Sequence, residues 1–374
     1  MTVRNHPRRA LAVSALALSL LAGCSDSSEP NSAEHGVLTF VDVNSPIDLT
    51  PDGGIALLED LNVAEGKVYF YNTATGVLTH KTDVGDPGRD IVTGISADGR
   101  ISALYADPVE AGLWTEGSGW VSLAHQYAVG CGMDYAGAWD ISADGHVAVG
   151  LGWDGCHAAG FRWSDASGTG VFSQLDLLGT AAEGDTTPPT NRVSVISDDG
   201  SMMAGFAQDG FVDRRPAIWH ADGSGFLLNP TVPDAPGEVL SISADGHEVA
   251  GIWNQNAFYW TQETNVVDIG TLPGALGGTP TFPNAIAANG KLIFGTCGDG
   301  FSGDQAAFVW TQAGGMRRLQ DILTRNFITV PASVTLTGIY AASADGRVVL
   351  GTAINAQFVQ TTFVLKAPVS LYGI

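Results

Sequence analysis

The sequence predicts an all-β fold, a seven-bladed β-propeller of four-stranded blades. Three observations predict it. A segment of about 46 residues recurs seven times. Each copy places an Asp-Gly or related pair between two short apolar runs, which is a strong hairpin signal because a tight turn needs positive φ. The N-terminal end of the repeating region supplies one strand that the last copy lacks.

The turn motif is the most regular part of the repeat. Ile95-Ser-Ala-Asp-Gly99 recurs from Ile141, Ile196, Ile242, Ile286 and Ala342, and in degenerate form from Leu49. The turn residues are spaced by 46, 46, 55, 46, 44 and 56 positions and are Asp52, Asp98, Asp144, Asp199, Asp245, Asn289 and Asp345. Because an Asp side chain bonds neighbouring N–H groups in such turns, we predict a backbone role for these acids instead of metal binding or catalysis.

The second half of each repeat contains an aromatic strand, a short polar turn and a fourth apolar run. We predict that the recurrent tryptophans pack between blades, because a sugar-stacking role would need exposed rings; they are Trp114, Trp163, Trp219, Trp260 and Trp310. Four strands in about 46 residues match a propeller blade and exceed one rung of a leucine-rich repeat or β-helix. Radial packing covers both faces of such sheets.

The two ends of the repeating region predict how the ring closes. The last repeat stops after its third strand, near Leu365. The run 36–43 lies where a fourth strand should be, just before the first repeat. We therefore predict that this N-terminal strand completes the seventh blade and that residues 36–374 form a single domain.

The N-terminal segment has the pattern of an export signal. Arg4, Arg8 and Arg9 precede an uncharged apolar run over 10–22, which is too short to span a bilayer. The sequence Leu21-Ala-Gly-Cys24 resembles the lipobox of bacterial lipoproteins. That resemblance implies a signal peptide over 1–23 and lipid attachment at Cys24, with an ordinary signal peptide or a membrane anchor as alternatives.

The residues after the lipobox predict a tether and a location. Residues 24–35 are polar and predict a flexible tether. Ser25 follows the cysteine directly. By the same resemblance, this residue implies the outer membrane if the host is diderm.

The charge of the chain limits its partners. The net charge is −22, and it becomes −25 when the chain begins at Cys24. An acidic surface of this size repels nucleic acid and anionic headgroups, so we expect no nucleic-acid partner and membrane contact through the Cys24 lipid only. We also expect a monomer.

The repeat resembles a known group of exported proteins. Ile-Ser-Ala-Asp-Gly is followed by Val-x-x-Gly, and the best copies of the second half are Ala257-Phe-Tyr-Trp-Thr261 through Gly274 and Ala307-Phe-Val-Trp-Thr311 through Met316. This pattern is similar to the HAF repeat of bacterial exported proteins and covers about residues 45–366, with the first and third repeats departing most. The resemblance implies an exported repeat protein and no particular reaction.

The sequence contains no catalytic motif that we recognise. His146 and His247 occupy a turn position held by Arg or Lys in other repeats, which favours exposed turn residues over metal ligands. No paired-His motif, nucleophile elbow or phosphate loop occurs. We therefore predict no cofactor, and the loop from Asp299 to Asp304 is a weak calcium candidate because it offers two carboxylates.

The remaining thiols predict one disulfide. Cys131 precedes the first strand of its repeat and Cys156 follows the second strand, so both lie at the same end of one blade. A Cys131–Cys156 disulfide is reasonable in an exported protein, with Cys297 left unpaired. The alternative is three free thiols.

The predicted ring has one face of short turns and one face of long loops. Binding residues concentrate on long loops held by a rigid scaffold, so we place the ligand on the long-loop face. Its candidate residues are Trp153, Asp154, Phe211, Arg214, Arg215 and Trp253. The favoured function is a non-enzymatic envelope module that binds a protein or glycan. The alternative is a glycan lyase or hydrolase, which would gather two carboxylates, or His with a carboxylate, around a central pocket on that face.

Overall fold

The short strands that the sequence predicts are arranged as seven four-stranded antiparallel sheets in a computed structural model of the chain. The structure describes residues 35–61, 67–84, 91–105, 111–123, 135–153, 158–180, 189–210, 212–229, 235–276, 278–298 and 305–374. Within these residues, no helix is long and apolar enough to cross a membrane.

The strands follow one another around the ring in chain order. After β1 (Val37–Val41), blade 1 contains β2 (Ser45–Leu49), β3 (Ile55–Asp60), β4 (Lys67–Asn72) and β5 (Leu78–His80), and blade 2 contains β6 (Ile91–Ile95), β7 (Ile101–Tyr105), β8 (Gly112–Thr115) and β9 (Gly119–Ser122). Blade 3 contains β10 (Tyr135–Ile141), β11 (Val147–Trp153), β12 (Ala158–Ser164) and β13 (Val171–Gln174), and blade 4 contains β14 (Asn191–Ile196), β15 (Met202–Asp209), β16 (Val212–His220) and β17 (Gly225–Leu227).

The later blades repeat the same order with two short helical additions. Blade 5 contains β18 (Gly237–Ile242), β19 (Glu248–Trp253), β20 (Asn256–Thr261) and β21 (Asn265–Gly270), and blade 6 contains β22 (Thr281–Ala287), β23 (Leu292–Cys297), β24 (Ala306–Thr311) and β25 (Gly315–Arg318). The helix α1 (Leu319–Arg325) precedes blade 7, which contains β26 (Val334–Ala342), β27 (Val348–Asn355) and β28 (Gln360–Lys366), and a 3₁₀ helix (Val369–Tyr372) follows.

Ring closure is as the sequence predicts. The strand β1 pairs antiparallel with β28, with Val37 opposite Lys366 and Val41 opposite Thr362. Blade 7 therefore takes three strands from the C-terminal end and one from the N-terminal end, in the order β1-β28-β27-β26. This pairing makes the first and last parts of the domain a single sheet.

The repeated turn is a hydrogen-bonded unit, which confirms the predicted backbone role of its Asp. In blade 3, the Ser142 hydroxyl donates to Asp144 Oδ1 over 2.7 Å and accepts from the Val147 N–H over 3.0 Å. The same Asp144 oxygen accepts from the His146 N–H. Gly145 has a φ of 72°, which favours glycine at this position. Equivalent bonds join Ser197 to Asp199, Ser243 to Asp245 and Ser343 to Asp345.

Adjacent turns are also bonded to each other through their backbones. The Ala97 N–H donates to the Ala143 carbonyl, Ala143 donates to Asp198, and Asp198 donates to Ala244, over 2.8 to 3.0 Å. Ala344 continues the pattern by donating to Pro51 across the junction between blades 7 and 1. We call the face that carries these turns the turn face. Backbone hydrogen bonds therefore link neighbouring blades around much of this face.

Four of the five recurrent tryptophans are buried in the core between blades, as predicted, and Trp310 is half-buried against it. Trp114 and Trp219 are fully buried. Their indole N–H groups donate to the Asp83 and Asp176 carbonyls. Phe70 of blade 1 meets Trp114 of blade 2 edge-on with ring centroids 6.2 Å apart. Burial of these large side chains stabilises each blade-to-blade contact.

Each innermost strand carries a β-bulge at the same place. In β10, Ala138 pairs with Gly150 and Asp140 with Val149, so Trp139 is the extra residue. The register shifts of the other six innermost strands have the same extra position. A bulge redirects a side chain, and here the extra residues line the central channel: Ile47, Thr93, Trp139, Ser194, Leu240, Asn284 and Tyr340.

Candidate functional site

The central channel contains a cavity with a non-repetitive lining. The cavity has a volume of about 210 Å³. The seven bulge residues that line it are all different, although they hold the same place in the repeat. Two positions further along each strand, the lining residues are nearly uniform: Leu49, Ile95, Ile141, Ile196, Ile242, Ile286 and Ala342. The bulge ring is therefore where the repeats differ and where the channel takes its particular chemistry.

Two half-buried aspartates join neighbouring blades beside the bulge ring. Asp48 Oδ2 accepts from the Ile95 N–H of blade 2 over 3.0 Å, and Asp48 Oδ1 accepts from Leu49. Asp140 Oδ2 accepts from the Ile196 N–H of blade 4 over 2.8 Å, and Asp140 Oδ1 accepts from Ile141. Each carboxyl thus satisfies backbone groups of two blades, which is a structural task.

Burial changes the protonation of these aspartates. Desolvation raises the pKa of Asp48 to about 7. Desolvation, followed by the nearby charge of Asp48, raises the pKa of Asp140 well above its usual range. Asp198, which also lines the cavity, has its pKa raised to about 6 by burial and by Asp199. Three carboxyls at the turn end of the channel therefore keep their protons to higher pH than exposed aspartates do.

This group of acids does not match the arrangement expected of a glycan-cleaving site. It lies at the turn end of the channel, and the enzyme alternative placed paired carboxylates on the long-loop face. Both oxygens of Asp48 and of Asp140 already accept backbone N–H bonds. In the part of the chain that the structure describes, no group of three or more His, Cys, Asp or Glu residues could hold a metal ion.

Two arginines and one glutamate form a cluster on the long-loop side of the bulge ring. Arg192 is near the start of β14 and Glu238 near the start of β18, so they are equivalent residues of blades 4 and 5. Arg192 donates to Glu238 Oε2 over 3.2 Å, and Arg214 of β16 donates to the same oxygen over 2.9 Å. We call Arg192, Arg214 and Glu238 the arginine cluster.

Aromatic rings hold the arginine cluster in place. The Arg192 guanidinium lies 5.0 Å from the Trp139 ring and 4.8 Å from the Phe206 ring. Arg214 lies 4.8 Å from the same Phe206 ring. Arg192 Nε also donates to Ser194, a bulge residue. The cluster thus sits directly beside the channel lining, on rigid strands.

The charges of the arginine cluster do not cancel. Two guanidinium groups share one carboxylate, which leaves one positive charge in excess. Burial lowers the pKa of Arg192 while Glu238 opposes that shift. Arg214 remains 48% exposed, so it can reach a ligand. A planar guanidinium presents paired donors that match a carboxylate.

The sequence-predicted residues of the long-loop face have different outcomes. Arg214 belongs to the arginine cluster, whereas Arg215 is paired one-to-one with Asp209. Trp253 corrects our expectation of a loop aromatic, because it ends β19, is only 3% exposed and donates its indole N–H to Ala235. Trp153 ends β11, and its side chain lies outside the described residues, as do Asp154 and Phe211.

Several other predictions cannot be compared with the structure. Cys24, Cys131, Cys156 and the calcium candidate loop 299–304 lie outside the described residues, so they stay predictions. Cys297 is a buried free thiol beside Thr271. His146 lies on the turn face, where its Nδ1 is 2.6 Å from Asp165, and that hydrogen bond raises its pKa.

Sequence reasoning missed the bulge ring, Arg192 and Glu238. The signal that could have found them is the contrast between repeats. Five positions before each turn residue the side chain differs in every copy, and seven positions before it Arg192 and Glu238 occur in consecutive copies. Neither position is distinctive in the sequence alone. Only the β-bulge in the structure shows that the residue five positions before the turn faces the channel.

Comparison with solved structures supports the fold. An oligogalacturonate lyase from Vibrio parahaemolyticus is 14% identical over 89% of this chain and 92% of that chain, with a TM-score of 0.57. The β-propeller domain of the Trilobed protease from Pyrococcus furiosus, described as having an open velcro topology, is 10% identical over 87% of this chain and 95% of that chain, with a TM-score of 0.53. The β-propeller domain of Cps50 (Swd1) from Myceliophteria thermophila is 11% identical over 87% of this chain and 98% of that chain, with a TM-score of 0.52.

No family model matches the chain, and no curated protein matches it. The similarity to the HAF repeat therefore stays an expectation from the sequence. At identities of 10–14%, the similarity to these solved structures supports the fold alone. The chain is a seven-bladed β-propeller closed by its N-terminal strand.

Proposed function

We propose that this protein is an exported, lipid-anchored and non-enzymatic binding module of the cell envelope. In this proposal, its ligand is anionic, a carboxylate-bearing glycan or protein segment, and binds at the channel mouth on the long-loop face. Cys24 would carry the lipid, in the outer membrane if the host is diderm. The observation that carries the proposal is the excess positive charge of the arginine cluster in a chain of net charge −22.

The local chemistry supports an anion over a neutral ligand. A carboxylate that approached Arg214 would accept charge-assisted hydrogen bonds, which are stronger than neutral ones. Trp139 and Phe206 fix the planes of the guanidinium groups and reduce the entropy lost on binding. The acidic remainder of the surface would slow the approach of the same anion, so affinity should depend on this site.

Calorimetric titration of the mature chain with Cys24→Ser tests the proposal, with three probes: an oligogalacturonate, a neutral oligosaccharide of equal length and an acidic peptide. We expect binding of at least one anionic probe and no binding of the neutral one. Arg214→Gln should weaken that binding at least tenfold, because a hydrogen bond to a charged group contributes about 1.5–3 kcal/mol.

Arg215→Gln is the matched control, since Arg215 is the adjacent residue but its charge is balanced by Asp209. It should leave the affinity unchanged. Equal losses in the two variants, or binding of the neutral probe alone, would argue against an anion site at the arginine cluster.

A further inference from the structure

The point at which the chain enters the propeller lies on the turn face. Val37 opens β1 opposite Lys366, and the next residue, Ala367, donates its N–H to Arg347 in the last repeated turn, over 2.8 Å. Gly36 precedes Val37 and lies against Ala367. Residues 24–35 can span at most about 40 Å, so a lipid on Cys24 would keep this part of the turn face near the bilayer.

Basic side chains are concentrated in the same part of the molecule. Residues 285–374 contain six basic and four acidic side chains, whereas residues 24–284 contain eight basic and 35 acidic ones. The six, called the basic sector below, are Lys291, Arg317, Arg318, Arg325, Arg347 and Lys366. Blades 6 and 7 therefore carry the opposite sign of charge to the rest of the chain.

The basic sector is also largely unpaired, unlike most of the described basic residues elsewhere. In blades 1–5, ion pairs engage Lys81, Arg100, Arg192, Arg214 and Arg215. Among the described residues, the only sector member with an acidic partner is Arg347, 3.6 Å from Asp345. Arg317 is held by the Tyr372 carbonyl and Lys366 by the Thr73 carbonyl, which leaves their charges unopposed.

An exposed aromatic side chain stands beside the entry point. Phe327 follows α1, is 96% exposed and has a φ of 59°, a conformation that is rare for an aromatic residue. Its neighbour Ile328 fills the space that a β-carbon at Gly36 would occupy. Phe327 is therefore fixed next to the predicted tether and presents its whole ring to the surroundings.

From the position of the entry point, the sign of the charge and Phe327, we propose that the turn face of blades 6 and 7 lies against anionic lipid headgroups. The inference rests on the proposed lipid anchor for its location but not for its chemistry. The net charge of the whole chain predicts repulsion from such headgroups, yet charges beyond about 8 Å are largely screened at physiological salt. The predicted tether carries three acids, Asp26, Glu29 and Glu34, so the proposed attraction depends on blades 6 and 7, where basic side chains outnumber acidic ones by two.

Sedimentation with vesicles tests the contact without the lipid anchor. The mature chain with Cys24→Ser is mixed with phosphatidylcholine vesicles that either contain or lack phosphatidylglycerol. We expect salt-sensitive binding to the anionic vesicles only. Lys291 and Arg347 are the exposed basic residues of the last two repeated turns, and Lys291→Gln with Arg347→Gln should weaken the binding about 25-fold, at about fivefold for each basic residue removed.

The matched aromatic control is Phe358, which is 80% exposed with a φ of 57° but lies between β27 and β28 on the long-loop face. Phe327→Ser should weaken vesicle binding several-fold and Phe358→Ser should not. Equal binding to both vesicle types, or equal effects of the two serine variants, would overturn the inference. Mass spectrometry of Cys24 tests the anchor separately, so failure of the anchor and failure of the surface are distinguishable.

Discussion

The two ends of the innermost strands differ in how strictly they repeat. At the turn end, the same Ser-to-Asp hydrogen bonds and turn-to-turn backbone bonds recur in blade after blade. At the long-loop end, the bulge residues are all different, and the arginine cluster lies where blades 4 and 5 meet. Repetition therefore serves stability, and function in this propeller should be sought where the repeat is broken.

Removal of β1 should lower the stability most, because it takes away one of the four strands of the seventh repeat. Deletion of 36–43 removes the paired edge of blade 7 and the buried Val41 and Val43. Each freed buried hydrogen-bonding group costs about 1–3 kcal/mol, so we expect a loss comparable with a typical total stability of about 5–15 kcal/mol. Thermal unfolding should show a much lower Tm or no cooperative transition.

Deletion of 25–35 is the control for the closing strand. It leaves β1 and its pairing with β28 intact, so the Tm should stay close to that of the mature chain. If both deletions lowered the Tm equally, the strand β1 would not be what closes the ring.

The channel acids should give the protein an acid-shifted stability optimum. Asp48 and Asp198 have raised pKa values of about 7 and about 6, so the folded state binds more protons than the unfolded state between about pH 4 and pH 7. Stability should therefore fall as the pH rises through this window, by up to about 4 kcal/mol for Asp48. The turn acids Asp52 and Asp144 have lowered pKa values and should reduce stability below about pH 4.

Urea unfolding of the wild type and of Asp48→Asn from pH 4 to pH 8 measures this dependence. The variant should lose part of the slope because its side chain does not ionise. An unchanged slope would mean that Asp48 is already ionised in the folded protein.

A smaller effect on the free energy of unfolding should distinguish a repeated position, Ser343, from a varied one, Leu240. Ser343 is buried, donates to Asp345 and accepts from the Val348 N–H, so Ser343→Ala should cost about 1–3 kcal/mol by leaving that N–H without its side-chain partner. Leu240 is a half-buried bulge residue, and Leu240→Ala should cost less than about 1 kcal/mol. Chemical unfolding of both variants decides whether the repeated position contributes more, and a larger loss for Leu240→Ala would reverse the comparison.

The sequence predicted the parts of the fold that repeat. The blade count, the turn role of Asp144, the burial of Trp114 and the closing strand at Val37–Val41 all follow from spacing and hairpin signals. The bulge at Trp139 was not predictable, because one extra residue changes the direction of side chains without changing the pattern of apolar residues. The same limit explains Trp253, which read as a loop aromatic but ends a strand.

Charge is a second property for which a whole-chain average hides local differences. The net charge of the chain predicted avoidance of anionic surfaces. The six basic side chains of the sector are spread over about 75 residues of sequence, from Lys291 to Lys366, but belong to or adjoin two neighbouring blades. Composition cannot show such sorting, because it depends on which blades are neighbours and which charges are already paired.

The orientation of the lipid-bearing protein on a bilayer tests the proposed membrane contact most directly. Single cysteines at position 327 on the turn face and 358 on the long-loop face can carry spin labels in protein reconstituted in anionic vesicles. The accessibility of each label to a relaxation agent dissolved in the lipid is then measured. We expect strong relaxation at 327 and none at 358, with the arginine cluster directed away from the membrane. Equal relaxation at both positions, or stronger relaxation at 358, would contradict it.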